Sequence, residues 1–212
     1  MTTTAFQYVF DNAESISFDR RAVTAQTISR DNTVRTVSRG GQTWRFTVRL
    51  PDGIRWSDAR PYIEAIDAAD RYTTGNVQLS NAGYTSWLNA YRGSAATTTG
   101  FYANVNTGWA NATITANPAV VSGYKFRAGD IVQVGTAGNV YSITSDVAYN
   151  SNVVTFNRAV RDITANVGSN VALTVGPAVT WTVICTQLPT WSIFARDQVS
   201  WSGEFVFYES LP

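Results

Sequence analysis

Apolar and polar residues alternate most strictly in residues 42–50, QTWRFTVRL. Trp44, Phe46, Val48 and Leu50 fall on one face and Thr43, Arg45, Thr47 and Arg49 on the other, which is the period of a half-buried strand. Shorter runs at 6–10, 15–18, 23–28 and 33–37 are expected to be strands as well. The period then changes. In residues 56–72, WSDARPYIEAIDAADRY, the apolar positions Tyr62, Ile63, Ile66 and Ala69 recur three and four apart, with Pro61 able to sit in a first turn. Asp58 near the start and Arg71 near the end suit the helix dipole, and Gly75 follows the stop. This is expected to be the one long helix, laid across a sheet.

Residues 94–100, SAATTTG, read as a small-residue linker. From about 101 to 176, short apolar runs at 112–116, 131–134, 140–143, 153–156 and 171–175 are separated by Gly and Asn turns. The clearest hairpin lies in residues 124–146, YKFRAGDIVQVGTAGNVYSITSD, where two alternating runs flank Gly-Thr-Ala-Gly-Asn. Roughly five strands at this spacing suit a small barrel of the OB type. After Gly176-Pro177 the aromatic-rich strands return, in WTVICTQ and SGEFVFYESL. A texture that changes and then changes back implies an insertion. The expected architecture is mainly β: residues 1–93 and 178–212 form a β-sandwich with one α-helix, and residues 94–177 form an inserted OB-like small β-barrel. Because the boundaries are small or turn-forming residues, few contacts are expected to cross them, and the barrel is expected to be dispensable for assembly, a chain joined from Gly93 to Ala178 still folding.

Composition narrows the function. The net charge is +1, and the arginines of the first 75 residues are nearly balanced by acids, so the basic face of a nucleic-acid binder is missing and no such partner is expected. The chain has no His, which removes His-based triads and most zinc sites. Cys185 stands alone in a strand-like run, where a buried small hydrophobe is the natural reading. The first residues, MTTTAFQYVF, lack the pattern of a signal peptide, and no run reaches spanning length, so a soluble protein made inside a cell, without membrane insertion, is expected.

The acids give no catalytic constellation. Asp67 and Asp70 share a face of the expected helix, which a solvated surface explains. Asp130 follows Gly129 in a turn and is expected to bond its own backbone. Asp146 and Asp162 stand isolated, no Asp-x-Asp spacing suggests calcium, and GTAGN lacks the Lys-Ser/Thr of a phosphate loop. The expectation is therefore no enzyme, no cofactor and no metal. Tyr102, Trp109, Tyr124 and Tyr149, with Tyr141, are candidates for stacking on a neutral glycan, although about half of them are expected to be barrel core. In residues 200–211 Phe205 and Phe207 fall on one face and Val206 and Tyr208 on the other, so this strand needs cover on both sides, the second from a neighbouring copy.

Three stretches resemble the distal tail proteins of long, non-contractile-tailed bacteriophages, of the type with an inserted OB-fold. They are the helix followed by Arg71-Tyr-Thr-Thr-Gly75 and a strand to Leu79, the hairpin with Arg127-Ala-Gly-Asp130 and Val140-Tyr-Ser-Ile-Thr144, and the ending Ser202-Gly203 through Tyr208-Glu209-Ser210-Leu211. The resemblance implies a hexameric ring at the tail tip of a virion, synthesised in the host cytoplasm. That ring would join the tail tube protein to the hub or baseplate proteins, with the OB-like domains projecting outward. Arg45, Arg49 and the Phe205–Tyr208 strand are the candidate ring and tube contacts. The resemblance transfers no catalytic residue. A carbohydrate-binding or host-receptor-recognition module, with a host-surface glycan as partner, is the alternative, and a two-carboxylate glycosidase is a third reading.

Overall fold

The computed structural model describes residues 4–20, 24–28, 30, 33–38, 43–69, 72–79, 88–135, 138–162 and 167–210. Its first element is a helix where alternation suggested a strand. Phe6, Tyr8 and Phe10 fit a period of two, but Phe6, Val9 and Phe10 fit a helix equally well, and these are the three buried residues of α1 (Ala5–Asp11). The cap decides between them: the Thr4 hydroxyl accepts a hydrogen bond from Gln7 N at 3.2 Å. The strands β1 (Ser15–Asp19), β2 (Thr24–Ile28), β3 (Val34–Ser38) and β4 (Arg45–Arg49) fall within the expected runs, give or take a residue. A short β5 (Ile54–Arg55) leads into α2 (Trp56–Ala68), which buries Ala59, Ile63 and Ile66. Pro61 lies inside α2 rather than in its first turn, because the helix already begins at Trp56. The N-terminus of α2 is capped from far along the chain, by the Asp197 carboxylate accepting from Ser57 N and Ser57 Oγ. Then comes β6 (Thr74–Gln78).

The barrel strands are β7 (Phe101–Val105), β8 (Asn111–Ala116), β9 (Tyr124–Phe126), β10 (Ile131–Val134), β11 (Val140–Ser142), β12 (Val147–Ala148), β13 (Val153–Thr155) and β14 (Gly168–Val175). Six of them form one antiparallel sheet in the order β11-β10-β14-β7-β8-β13, and β9 pairs with β12 in a separate ribbon. The two ends of the long sheet meet where Ile143 bridges Phe156, with Thr144 N donating to Thr155 O and Asn157 N to Ser142 O. The stave that the sequence hid is β7. Phe101, Ala103 and Val105 do point inward, but an Ala and an exposed Asn make FYANV look like loop.

The chain returns as β15 (Thr180–Gln187), β16 (Thr190–Phe194), β17 (Gln198–Ser202) and β18 (Phe205–Glu209). The five-stranded sheet β1-β4-β18-β15-β6 therefore draws on both ends of the chain. One face of it is covered by α1, α2 and the three-stranded sheet β16-β17-β5, with Phe6 against Phe207 and Phe10 against Phe46 at centroid distances of 5.4 and 5.6 Å. The protein is thus mainly β, a β-sandwich plus a small barrel, with α1 and α2 packed on the sandwich. Gln7 also closes one sheet edge: its amide donates to Gln78 O and accepts from Gln78 N, standing in for a further strand beside β6. Gly75 makes this approach possible, since a Cβ there would lie 2.4 Å from the Phe6 ring.

Barrel and sandwich are nevertheless tied by a small set of buried contacts. Glu209, at the end of β18, meets Arg158 of the barrel in a two-pronged pair, with N···O distances of 2.7 and 2.8 Å and both side chains almost wholly buried. Glu209 also accepts from Trp44 N and Val140 N, while Val140 O accepts from Arg158 and from the Trp44 indole. The Gln133 amide bridges β10 to Thr180 through both its donor and its acceptor. Ile131 and Val140 pack into the sandwich core, although their hairpin is part of the barrel sheet. On the incoming side Tyr91 already packs against Phe101 and Phe126 of the barrel, upstream of the expected boundary at residue 94.

Removing one member of such a pair leaves the other charged, buried and uncompensated. Glu209→Ala is expected to cost about 3–5 kcal/mol of unfolding free energy, measured by urea denaturation followed by tryptophan fluorescence.

Candidate functional site

The outer face of the five-stranded sheet is where the candidate ring and tube contacts were placed. Alternation along β4 puts Arg45, Thr47 and Arg49 on it, and the pairing of Tyr208 with Arg45 and Ile184 puts Tyr208 there too. The Arg45 guanidinium lies over the Tyr208 ring at 5.8 Å, and Arg49 pairs with Glu14 at 3.3 Å with both side chains about half exposed. Of the six candidates, Arg45, Arg49 and Tyr208 are at the surface. Phe205 and Phe207 are not available for a neighbour, because they fill the core between the sheet and its helices. Val206 faces outward yet is only 5% exposed, so within this chain one of the two apolar residues on the second face of β18 is already covered.

The stacking candidates are dispersed. Tyr141 is wholly buried, and its hydroxyl donates to Asp162. Tyr102 lies on the outside of β7, opposite Ala116 and Ala172, while Trp109 sits beyond the end of β7 with its carbonyl bonded by Val160 N. Only Tyr124 and Tyr149 are neighbours, on the β9–β12 ribbon, where Tyr149 N donates to Gly123 O. One face of Tyr124 is already occupied by the Arg127 guanidinium, 3.8 Å from the ring centre. A platform that stacks successive sugar rings is not assembled: Tyr102, Trp109 and Tyr149 are exposed at separate places, and Tyr124 is partly covered.

The acids turn out to be structural ties. Asp130 is buried and accepts from the backbone N–H groups of Arg127 and Arg92, so it fastens the incoming segment as well as its own turn. Burial raises its pKa, against the lowering effect of those hydrogen bonds and of Arg92. Asp162 is not isolated: it accepts from Tyr141 Oη and Asn139 N, and burial followed by this carboxylate pushes the Tyr141 phenol up. Asp146 accepts from Ala128 N and pairs with Arg127, which hold its carboxyl below the usual range. Lys125 is buried and donates to Ser151 O and Asn152 Oδ1; burial lowers its pKa. Asp67 is exposed, and Asp70 lies outside the described residues. Cys185 is buried in β15. Among the described residues, no group of three or more His, Cys, Asp or Glu could hold a metal ion, and no helix is long and apolar enough to cross a membrane.

Sequence reasoning missed the most apolar exposed strand. All five residues of β16 are exposed, among them Trp191, Ile193 and Phe194, and Trp191 stacks on Trp56 at 4.1 Å. The only signal was TWSIF itself, an apolar run closed by a turn in which Ala195 and Arg196 both adopt positive φ. No protein-family model matches this chain, and no curated protein matches it either.

Neighbouring positions on β18 separate core from surface. Phe207→Ala is expected to cost about 3–5 kcal/mol of stability, whereas Tyr208→Ala should stay within about 0.5 kcal/mol. Parallel chemical denaturation of the two variants checks the contrast.

Proposed function

We propose that this chain is a structural protein of a bacteriophage tail tip, closing into a ring of six copies that joins the tail tube to the hub or baseplate. One observation carries the reading. Apart from Phe18, Tyr72 and Tyr208, the exposed large apolar residues on the described sandwich part form two groups at unlike places: Ile28 and Val34 on the β2–β3 hairpin, and Trp191, Ile193 and Phe194 on β16. A contact between unlike surfaces repeats head to tail, and a ring results when the rotation closes. The buried Arg158–Glu209 pair supports the same reading, because it fixes how the barrel is carried on each copy. The open sheet face with Arg45, Arg49 and Tyr208 is the surface offered to the tube protein. This reading assigns no catalytic residue and no cofactor.

A glycan-recognition module is the second reading, favoured by the neighbouring Tyr124 and Tyr149 on the β9–β12 ribbon. Mass photometry and negative-stain imaging of the purified protein distinguish the two. The expected result is a closed ring of six with barrels at its periphery, and gold-labelled antibody at the tail tip of virions. A chain that stays monomeric at high concentration, and binds host-surface glycan through Tyr149, would show the second reading to be the right one.

A further inference from the structure

The β2–β3 hairpin forms a two-stranded sheet of its own among the described residues. A lone two-stranded ribbon is marginal in water and gains stability from a surface to lie on. Near its turn Ile28 and Val34 sit directly opposite each other, 72% and 57% exposed, and Arg30 is exposed in the turn itself. The surrounding sequence is basic: Arg20, Arg21, Arg30, Arg35 and Arg39 face a single acid, Asp31, over residues 20–39. The hairpin therefore ends in an apolar pair beside a positive charge.

The opposite character is found on α2 and β16. A cavity of about 180 Å³ there is lined by Ile63, Leu188, Pro189 and Trp191, with Glu64 and Asp67 also in its wall. Trp191 and Ile193 pair across the sheet with the buried Trp201 and Val199, so they carry the inner face of the sandwich out past its edge. β16 is itself an edge strand, and unlike β6 it has no side chain described as bonding along it in place of a further strand. Within α2 the acids Asp58, Glu64 and Asp67 outnumber Arg60. An apolar floor with an acidic wall matches an apolar pair with an arginine in both shape of character and sign of charge.

We propose that the tip of the β2–β3 hairpin of one copy docks into the α2–β16 cavity of the next copy. Ile28 and Val34 cover Trp191 and Leu188, and Arg30 lies beside Glu64 and Asp67. The inference rests on the ring reading, whose contact surfaces it names. The contact joins unlike surfaces, so each copy keeps one free hairpin and one free cavity until the ring closes.

The test uses the full chain. Cys185 is buried, whereas Thr27 and Thr190, the latter beside Pro189 of the cavity, are exposed, so thiols introduced by Thr27→Cys and Thr190→Cys are the accessible ones. The two single variants are mixed, treated with a short bifunctional maleimide and run on a denaturing gel. A crosslinked dimer in the mixture, absent from either variant alone, is the expected result. Arg30→Glu should raise the concentration at which half of the protein is assembled by about tenfold or more, and adding Asp67→Lys should reverse that shift. If wild-type rings form while the mixture yields no dimer and Arg30→Glu assembles normally, this docking is wrong and the ring stands. If the wild type never assembles, both fail. If a chain carrying both Thr27→Cys and Thr190→Cys crosslinks only at monomer mass, the hairpin fills the cavity of its own chain and the proposal is overturned.

Discussion

Glu209 and Arg158 are brought together from 51 residues apart, and each comes from a different part of the fold. Their two-pronged contact is sealed from water on the sandwich side by Trp44 and on the barrel side by Val140 and Tyr141, whose ring lies 5.0 Å from the Arg158 guanidinium. Taking both charges out of water is costly, and a buried pair of this kind contributes little net stability compared with an apolar contact of the same size. What it enforces is geometry. A planar fork satisfies a carboxylate in one orientation only, and the remaining oxygen valences are taken by Trp44 N and Val140 N. A barrel swung away from the sandwich would strand both charges.

The rest of the molecule is arranged around that fixed junction. The sandwich spends its apolar residues on one face, where α1, α2 and the β16-β17-β5 sheet fill the core. It closes the β6 edge with Gln7 and leaves the β16 edge apolar and open. Protruding charges, proline or a covering side chain normally blunt such an edge. An edge left bare in a chain that closes another one with a side chain points to a surface meant to be covered. With the barrel locked in place, whatever covers β16 also sets where the barrel is presented.

How much of this was legible in the sequence depends on whether the signal was local. The strand around Phe46, the helix buried through Ile63 and Ile66, and the β10–β11 hairpin were all readable, since alternation, helical spacing and turn chemistry lie within a dozen residues. The helix α1 was not, because its apolar positions satisfy both periods and only the Thr4 cap separates them. β7 was masked by Ala103 and Asn104. The facing of Phe205 and Phe207 against Val206 and Tyr208 was readable, but that their own chain buries Phe205, Val206 and Phe207 was not. The Glu209 contacts, the Asp162–Tyr141 bond and the capping of α2 by Asp197 all join residues distant along the chain, and no local pattern announces them.

Whether barrel and sandwich are one body can be read most directly by native-state hydrogen exchange. Amides of the β10–β11 hairpin and of β18 lie on opposite sides of the Arg158–Glu209 pair. If the pair couples the two cores as described, both sets exchange through the same opening, with equal opening free energies and equal dependence on denaturant. Barrel amides that exchange through a separate, lower-energy opening while β18 stays protected would contradict the account.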